Sequence, residues 1–549
     1  MMMKTYNNSK KEGRLSWKAV QWLLPLLIGV LLVSCTKDFE KYNTNPNALP
    51  ANEINRDNVY LGGFFKQMEE SVIPVGGAGT DAANSYQLIE NLVGDIFGGY
   101  HGMANRYNAA GDHTTYNFNA VNWNSAPFNQ YYTKIVRNYD TIARYAVASP
   151  DVLAVAKIIK VQAAHRTVDM FGAIPYFNTG TVLGALGSAY DPMDKIYQSF
   201  FNDLDSAVVA LKPFAEIGAT PLRFFDAVYR GDYRLWIRFA NSLKLRLAMR
   251  MVYVDPTKAK KYAEEAMQDE YGVITENTDN ATMQGIEGTT YNNPLQTLSE
   301  AYNETRLSAI MESYLTGYAD PRLSRLFMPS TRTGDPAGRF RGIRLGINMP
   351  DNSLYKPFSV VRSDFNIIWM PAAEVFFLRA EGAMRGWNMK GTVQQLYEDG
   401  IRKSFDQWGV TGADTYMQNN DRRPSPYQDP VGGNSVGAGA GLLPTLTIAW
   451  QNDVSEEQML ERIITQKWIA MYPNGQEAWS EYRRTGYPKL FPVVLNESGG
   501  TVNTAIQVRR LPYPTSEYQT NQSNVTQGIA LLGGPDNGGT RLWWDRKGN

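Results

Sequence analysis

Apolar positions spaced three and four apart recur along much of this chain and predict helices that come in pairs. Over 455–472, Leu460, Ile464, Trp468 and Met471 fall on one face, and Ser455 followed by Gln458 carries the capping-box pattern that starts a helix. Pro473-Asn474-Gly475 then signals a turn. Helical composition resumes over 476–485 until Gly486 and Pro488 stop it, which makes a helix hairpin. The same unit is expected at 128–148 and 151–171, joined across Ser149-Pro150. Further helices are expected at 193–211, 232–252, 257–268, 304–315, 371–386 and 392–405. In the second of these Asp232 is the N-cap, and Trp236, Phe239, Ala240, Leu243 and Leu247 form the buried stripe. Trp236, Trp468 and Trp479 all lie on helix stripes and are read as core side chains.

Helix pairs that lack a strict repeat of roughly 34 residues suggest a degenerate tetratricopeptide-like array. The fold class expected is therefore mainly α, a superhelix of helix pairs with little β structure, forming one domain over 51–549. Residues 71–126, 271–302, 328–368 and 409–450 interrupt it: they are rich in Gly, Asn, Pro and aromatics and lack helical pattern. Loops of that length are usually functional or disordered, and the aromatic content of these argues for an ordered, ligand-facing surface, with room for short strand pairs.

Composition narrows the function classes. Lys+Arg and Asp+Glu both number 54, so no basic surplus exists for wrapping nucleic acid. The chain holds 12 Trp, 32 Tyr and 22 Phe, many for 549 residues, and a binding surface is one use for them. Its start is basic, with Lys4, Lys10, Lys11, Arg14 and Lys18, and the apolar run 19–33 that follows has signal-peptide length. Leu32-Val33-Ser34-Cys35 closes the run and is similar to a bacterial lipobox, whose cysteine is lipidated and becomes the first mature residue. Residues 1–34 are then a leader and 35–50, rich in Asn, Thr and Pro, a tether. Cys35 is the only cysteine, which leaves no disulfide and no Cys-ligated metal. No later stretch reaches the about 18 uninterrupted apolar residues of a membrane-spanning helix, so the lipid is the expected attachment.

Catalytic chemistry is hard to find. His165 lies on an apolar stripe and reads as a buried histidine, and His101 and His113 are loop residues without zinc spacing, so no metal and no cofactor is expected. The glycine run 432–441 lacks the Gly-Lys-Ser/Thr ending of a phosphate loop and reads as a flexible loop. Glu374 and Glu381 share one helix face about 10.5 Å apart along the axis, beyond the about 5 to 5.5 Å of a retaining glycosidase pair. Ion pairing between stacked helices is the better use for them. No G-x-S-x-G occurs.

The helix motifs, in their order along the chain, resemble the SusD/RagB family of outer-membrane lipoproteins. The similarity runs from 38–47, Asp-Phe-Glu-Lys-Tyr-Asn-Thr-Asn-Pro-Asn, through 169–176, Asp-Met-Phe-Gly-Ala-Ile-Pro-Tyr, where the family more often has an acid at Ala173. It continues through Trp236 with 239–246, Asp320-Pro321-Arg322-Leu323, 374–381, Gln466-Lys467-Trp468, Glu477-Ala478-Trp479, 482–486 and Arg510-Leu511-Pro512-Tyr513-Pro514. The resemblance implies a surface lipoprotein that captures an oligosaccharide, or in some members a peptide, and closes over a TonB-dependent transporter of the SusC/RagA kind. It implies binding without turnover; a surface glycoside hydrolase is the alternative from another class.

Ligand residues vary within the family, so candidates come from chemistry. A sugar offers C–H faces to aromatic rings and hydroxyls to planar amide, carboxylate and guanidinium groups. Two loop clusters fit: Tyr100, Arg106, Asn122 and Trp123 with Asn124, and Tyr291 with Asn292 and Asn293, together with Tyr355.

Overall fold

The computed structural model describes residues 59–77, 80–107, 111–119, 121–179 and 187–548; the leader, Cys35 and the tether lie outside the described residues. Local signals start most helices where the sequence places them. Asp232 accepts from the backbone N–H groups of Arg234 and Leu235 and opens Tyr233–Arg250, and Ser455 and Gln458 form a reciprocal capping box on Glu456–Ala470. Thr392 and Gln395 do the same for Val393–Gln407. Gly486, left-handed at φ 81°, ends Gly475–Thr485.

These helices bury their stripes against one another in tetratricopeptide-like pairs. Pro150–Phe171 packs on Met193–Glu216, Tyr233–Arg250 on Pro256–Gln268, and Ala372–Met384 on both Val393–Gln407 and Glu456–Ala470. Trp236, Trp468 and Trp479 are buried, as their stripes require. Besides isolated bridges, the strands of the described residues form two small antiparallel pairs, His101–Met103 with Thr305–Leu307 and Ala281–Thr282 with Ile368–Met370. No helix of the described residues is long and apolar enough to cross a membrane.

Three expectations need correction. The interruption at 71–126 is partly helical: Ala82–Tyr86 runs on as a π-helix over Gln87–Asp95, and Val121–Gln130 begins seven residues before the expected 128. The π-helix carries helical spacing in Leu88-Ile89, Leu92-Val93 and Ile96-Phe97, and it is buried nearly all round, with Glu90, Asn91 and Asp95 inside. Residues 305–307 are strand and not helix, with Glu304 leading into them; the helix begins at Ala309, where the Ser308 side chain accepts from the Met311 N–H. Two helices add to those expected: Thr515–Thr520 buries no residue, and Gln522–Leu532 buries Val525, Gly528 and Leu532.

Charges fill the interface between helix pairs. Arg246 holds Glu374 through two hydrogen bonds of 2.8 and 2.7 Å, and Arg484 holds Glu381 at 2.7 and 2.6 Å. Arg250 joins Asp169, Glu477 and Glu481 at 3.1, 2.6 and 2.7 Å. Burial pushes the Glu381 carboxyl up, but Arg484 and Arg385 outweigh it and hold it below the usual range. Both candidate glycosidase carboxylates are thus locked in a dry ion network.

Candidate functional site

The Trp123 face is assembled where the first strand pair delivers two chain segments side by side. His101–Met103 runs antiparallel to Thr305–Leu307, and the Ala104 N–H donates to the Glu304 carbonyl at 2.7 Å. Gly102 is required there, since a Cβ would stand 2.6 Å from the Ile343 carbonyl oxygen. Residues 105–107 therefore emerge against Glu304. The Tyr107 hydroxyl donates to Glu304 Oε2 at 2.7 Å, Gln87 Nε2 to the same oxygen at 2.8 Å, and Asn105 Nδ2 to Oε1 at 2.9 Å. Burial, reinforced by the Glu304 carboxylate, pushes the Tyr107 phenol up, so it stays a neutral donor.

Trp123, half-buried on Val121–Gln130, meets the Tyr107 ring edge-on at 4.9 Å and the His113 ring at 5.1 Å. His113 is fixed beneath it: the Leu92 carbonyl can only accept, so Nδ1 donates across 2.8 Å. Burial pushes the imidazole down to about 4, which keeps it neutral.

Arg106 borders this aromatic pair. Its Nη2 reaches both Glu497 oxygens at 3.0 Å, and the Thr115 hydroxyl donates to Glu497 Oε2 at 2.7 Å. That hydroxyl, with Arg106 beside it, holds the exposed Glu497 below the usual carboxylate range. Asn352 closes the array, accepting from the Arg106 backbone N–H at 3.3 Å and donating to Asn105. Exposed Tyr302 and Leu354 stand next in sequence to these segments. The result is a surface of two aromatic rings bordered by amides, two carboxylates and one guanidinium. Among the described residues no group of three or more His, Cys, Asp or Glu could hold a metal.

The profile of the SusD-like family, described as Susd and RagB outer membrane lipoprotein, matches residues 41–545. This chain belongs to the SusD-like family. A solved chitin-binding SusD homolog from Flavobacterium johnsoniae is 40% identical with a TM-score of 0.83, covering 89% of this chain and 99% of its own. SusD homologs from Bacteroides uniformis and Bacteroides thetaiotaomicron are 37% and 35% identical, each with a TM-score of 0.80 over 89% of this chain and 99% of theirs. No curated protein matches the chain significantly.

Within this SusD-like fold the six sequence candidates separate. Arg106 and Trp123 meet on the face just described. Tyr100 does not join them: it is 0% exposed, stacked on Trp468 at 5.5 Å, with its hydroxyl donating to the Trp468 carbonyl at 2.5 Å. Tyr355 is likewise 0% exposed and donates to Asp429 Oδ2 at 3.0 Å, tying down the glycine-rich loop. Neither ring has a free face for a sugar; both are corrected to loop anchors. Asn122 belongs to the Trp123 helix, and its side chain lies outside the described residues, while Asn124 is buried. Tyr291 is half-buried on a different loop, whose Asn292 N–H pairs with the Gly76 carbonyl. Sequence reasoning missed Asn105, Tyr107, Glu304, Asn352 and Glu497. The first two flank Arg106 and were legible as one amide-guanidinium-phenol triplet; Glu304 joins through the strand pair, and Asn352 and Glu497 through loop contacts with Arg106.

Proposed function

We propose that this SusD-like protein binds an oligosaccharide on the Trp123 face without turning it over and passes it to a TonB-dependent transporter in the outer membrane, to which a lipid on Cys35 tethers it. The observation that carries the reading is the placement of Trp123 and Tyr107 beside Asn105, Glu304, Asn352 and Arg106. The uncovered part of the half-buried indole offers a ring for sugar C–H groups, and the planar polar groups next to it suit hydroxyl and acetamido substituents. The 40% identity to a chitin-binding homolog supports N-acetylglucosamine polymers as the first substrate class to try. The burial of Glu374 and Glu381 against arginines favours a binder over a hydrolase.

Calorimetry of the soluble mature chain with chitin oligosaccharides and a peptide panel is the test. Trp123→Ala should remove a stacking contact of about 0.5 to 1.5 kcal/mol beyond area burial, weakening affinity severalfold to about tenfold. The melting midpoint should fall modestly, because the ring's contacts with Tyr107 and His113 go with it, while the chain remains folded. Unchanged glycan affinity would refute the site, and peptide binding in place of glycan would refute the substrate class. Recovery of the protein from solubilised outer membrane without a barrel partner would count against delivery.

A further inference from the structure

A second place in the fold has the chemistry of a ligand site and shares no residue with the Trp123 face. Val393–Gln407 ends at a tight turn, in which the Trp408 N–H donates to the Ser404 carbonyl and Gly409, at φ 60°, donates to Asp406. Opposite it, residues 364–366 lead into the strand Ile368–Met370. Between them opens a cleft of about 390 Å³, lined by Phe365, Trp408, Arg325, Asp364, Asn366 and Asp406 among others. Its volume falls in the range of about 300 to 1,000 Å³ in which small ligands bind.

The walls are held firmly. Phe365 and Trp408 meet edge to face at 5.1 Å and 86°, Asn293 Nδ2 donates to the Phe365 carbonyl at 3.1 Å, and Arg325 Nε donates to the Trp408 carbonyl at 2.9 Å. Asp364, Asn366, Asp406 and Arg325 are exposed around them. Two donors of the lining, Trp408 Nε1 and Gln407 Nε2, are buried without a hydrogen-bond partner, which is costly unless a polar atom reaches them. Charges of both signs argue against a simple anion or cation site, and the polar rim argues against a lipid. An aromatic floor with carboxylate, amide and guanidinium groups around it suits a polyhydroxylated ring.

We propose that this cleft is a second saccharide-binding site, so that one molecule grips a long glycan at two points. The proposal rests on the reading of the protein as a glycan binder. Two tethered contacts raise the effective concentration of the second and make polymer binding tighter than either site alone, by about 10² to 10⁴ when the geometry permits both.

The test is calorimetry of the full mature chain with N-acetylglucosamine hexamer and a panel of neutral oligosaccharides, followed by binding to the insoluble polymer. The expected result is two equivalents of bound oligosaccharide. Phe365→Ala, and separately Asp364→Asn with Asp406→Asn, should leave one equivalent and lower polymer retention at least tenfold. The Asp pair is exposed, so that variant reports on binding even if Phe365→Ala unfolds. Trp123→Ala should weaken the other equivalent severalfold to about tenfold and leave the affinity of the cleft unchanged. A single wild-type equivalent, weakened in Trp123→Ala and untouched by the cleft variants, would overturn the second site while leaving the first. Failure of the wild type to bind any glycan would overturn both.

Discussion

At the scale of residues, an aromatic ring acts according to what covers it. Trp468 is 1% exposed, donates through Nε1 to the Gly98 carbonyl at 2.7 Å, and stacks on Tyr100. Trp468→Ala should therefore open a cavity and cost about 3 to 5 kcal/mol in denaturant melts, with glycan binding lost only through unfolding. A loss under about 0.5 kcal/mol would mean the ring is not core. His113 makes a pH prediction. Its folded pKa of about 4 lies below the roughly 6.5 of an unfolded histidine, so the native state takes up this proton later than the unfolded chain does. Its stabilising contribution is complete above about 6.5 and is lost as pH falls toward about 4. Unfolding free energies measured between pH 7 and 4.5 should drop more steeply for the wild type than for His113→Phe; parallel curves would show that His113 takes up its proton in the fold at the same pH as in the unfolded chain. Trp123 rests on this neutral ring, so its orientation should loosen over the same window.

At the scale of elements, close helix contact depends on two glycines that look like flexibility in the sequence. A Cβ on Gly94 would stand 2.4 Å from the Gln476 backbone nitrogen, and one on Gly475 would stand 2.4 Å from that of Asp95. The π-helix and Gly475–Thr485 thus cross backbone to backbone. Gly94→Ala should cost about 1 to 3 kcal/mol or more, because backbone atoms cannot step aside as a side chain can. A melt unchanged from wild type would mean that the two helices separate freely. Over 87–97 the spacing of Leu88-Ile89, Leu92-Val93 and Ile96-Phe97 is helical, whereas the burial of Glu90 against Arg166 at 2.6 Å follows only from the packed helices around it. Helices with one wet face, such as Pro256–Gln268 and Val393–Gln407, were legible from spacing and caps.

At the scale of the whole molecule, the chain is a scaffold of capped helix pairs, with ion networks between them, that displays loops. If Cys35 carries the lipid, Cys35→Ala should release the protein from the membrane fraction, and intact mass of the extracted wild type should show a chain beginning at Cys35 with added acyl mass. A chain still beginning at Met1 would refute the anchor. The sequence by itself determined the helix pairs, their caps, the buried tryptophans and the family, because capping boxes, turn residues and three-four spacing act within a few positions of one another. Tertiary structure decided which aromatics face outward. Tyr100 and Trp123 look equivalent in sequence, yet one is sealed under Trp468 and the other stands beside Tyr107, because exposure depends on segments hundreds of residues away. Glu304 and Glu497 join Arg106 and Tyr107 only after a strand pair and a loop contact bring them there, and no local pattern encodes that meeting.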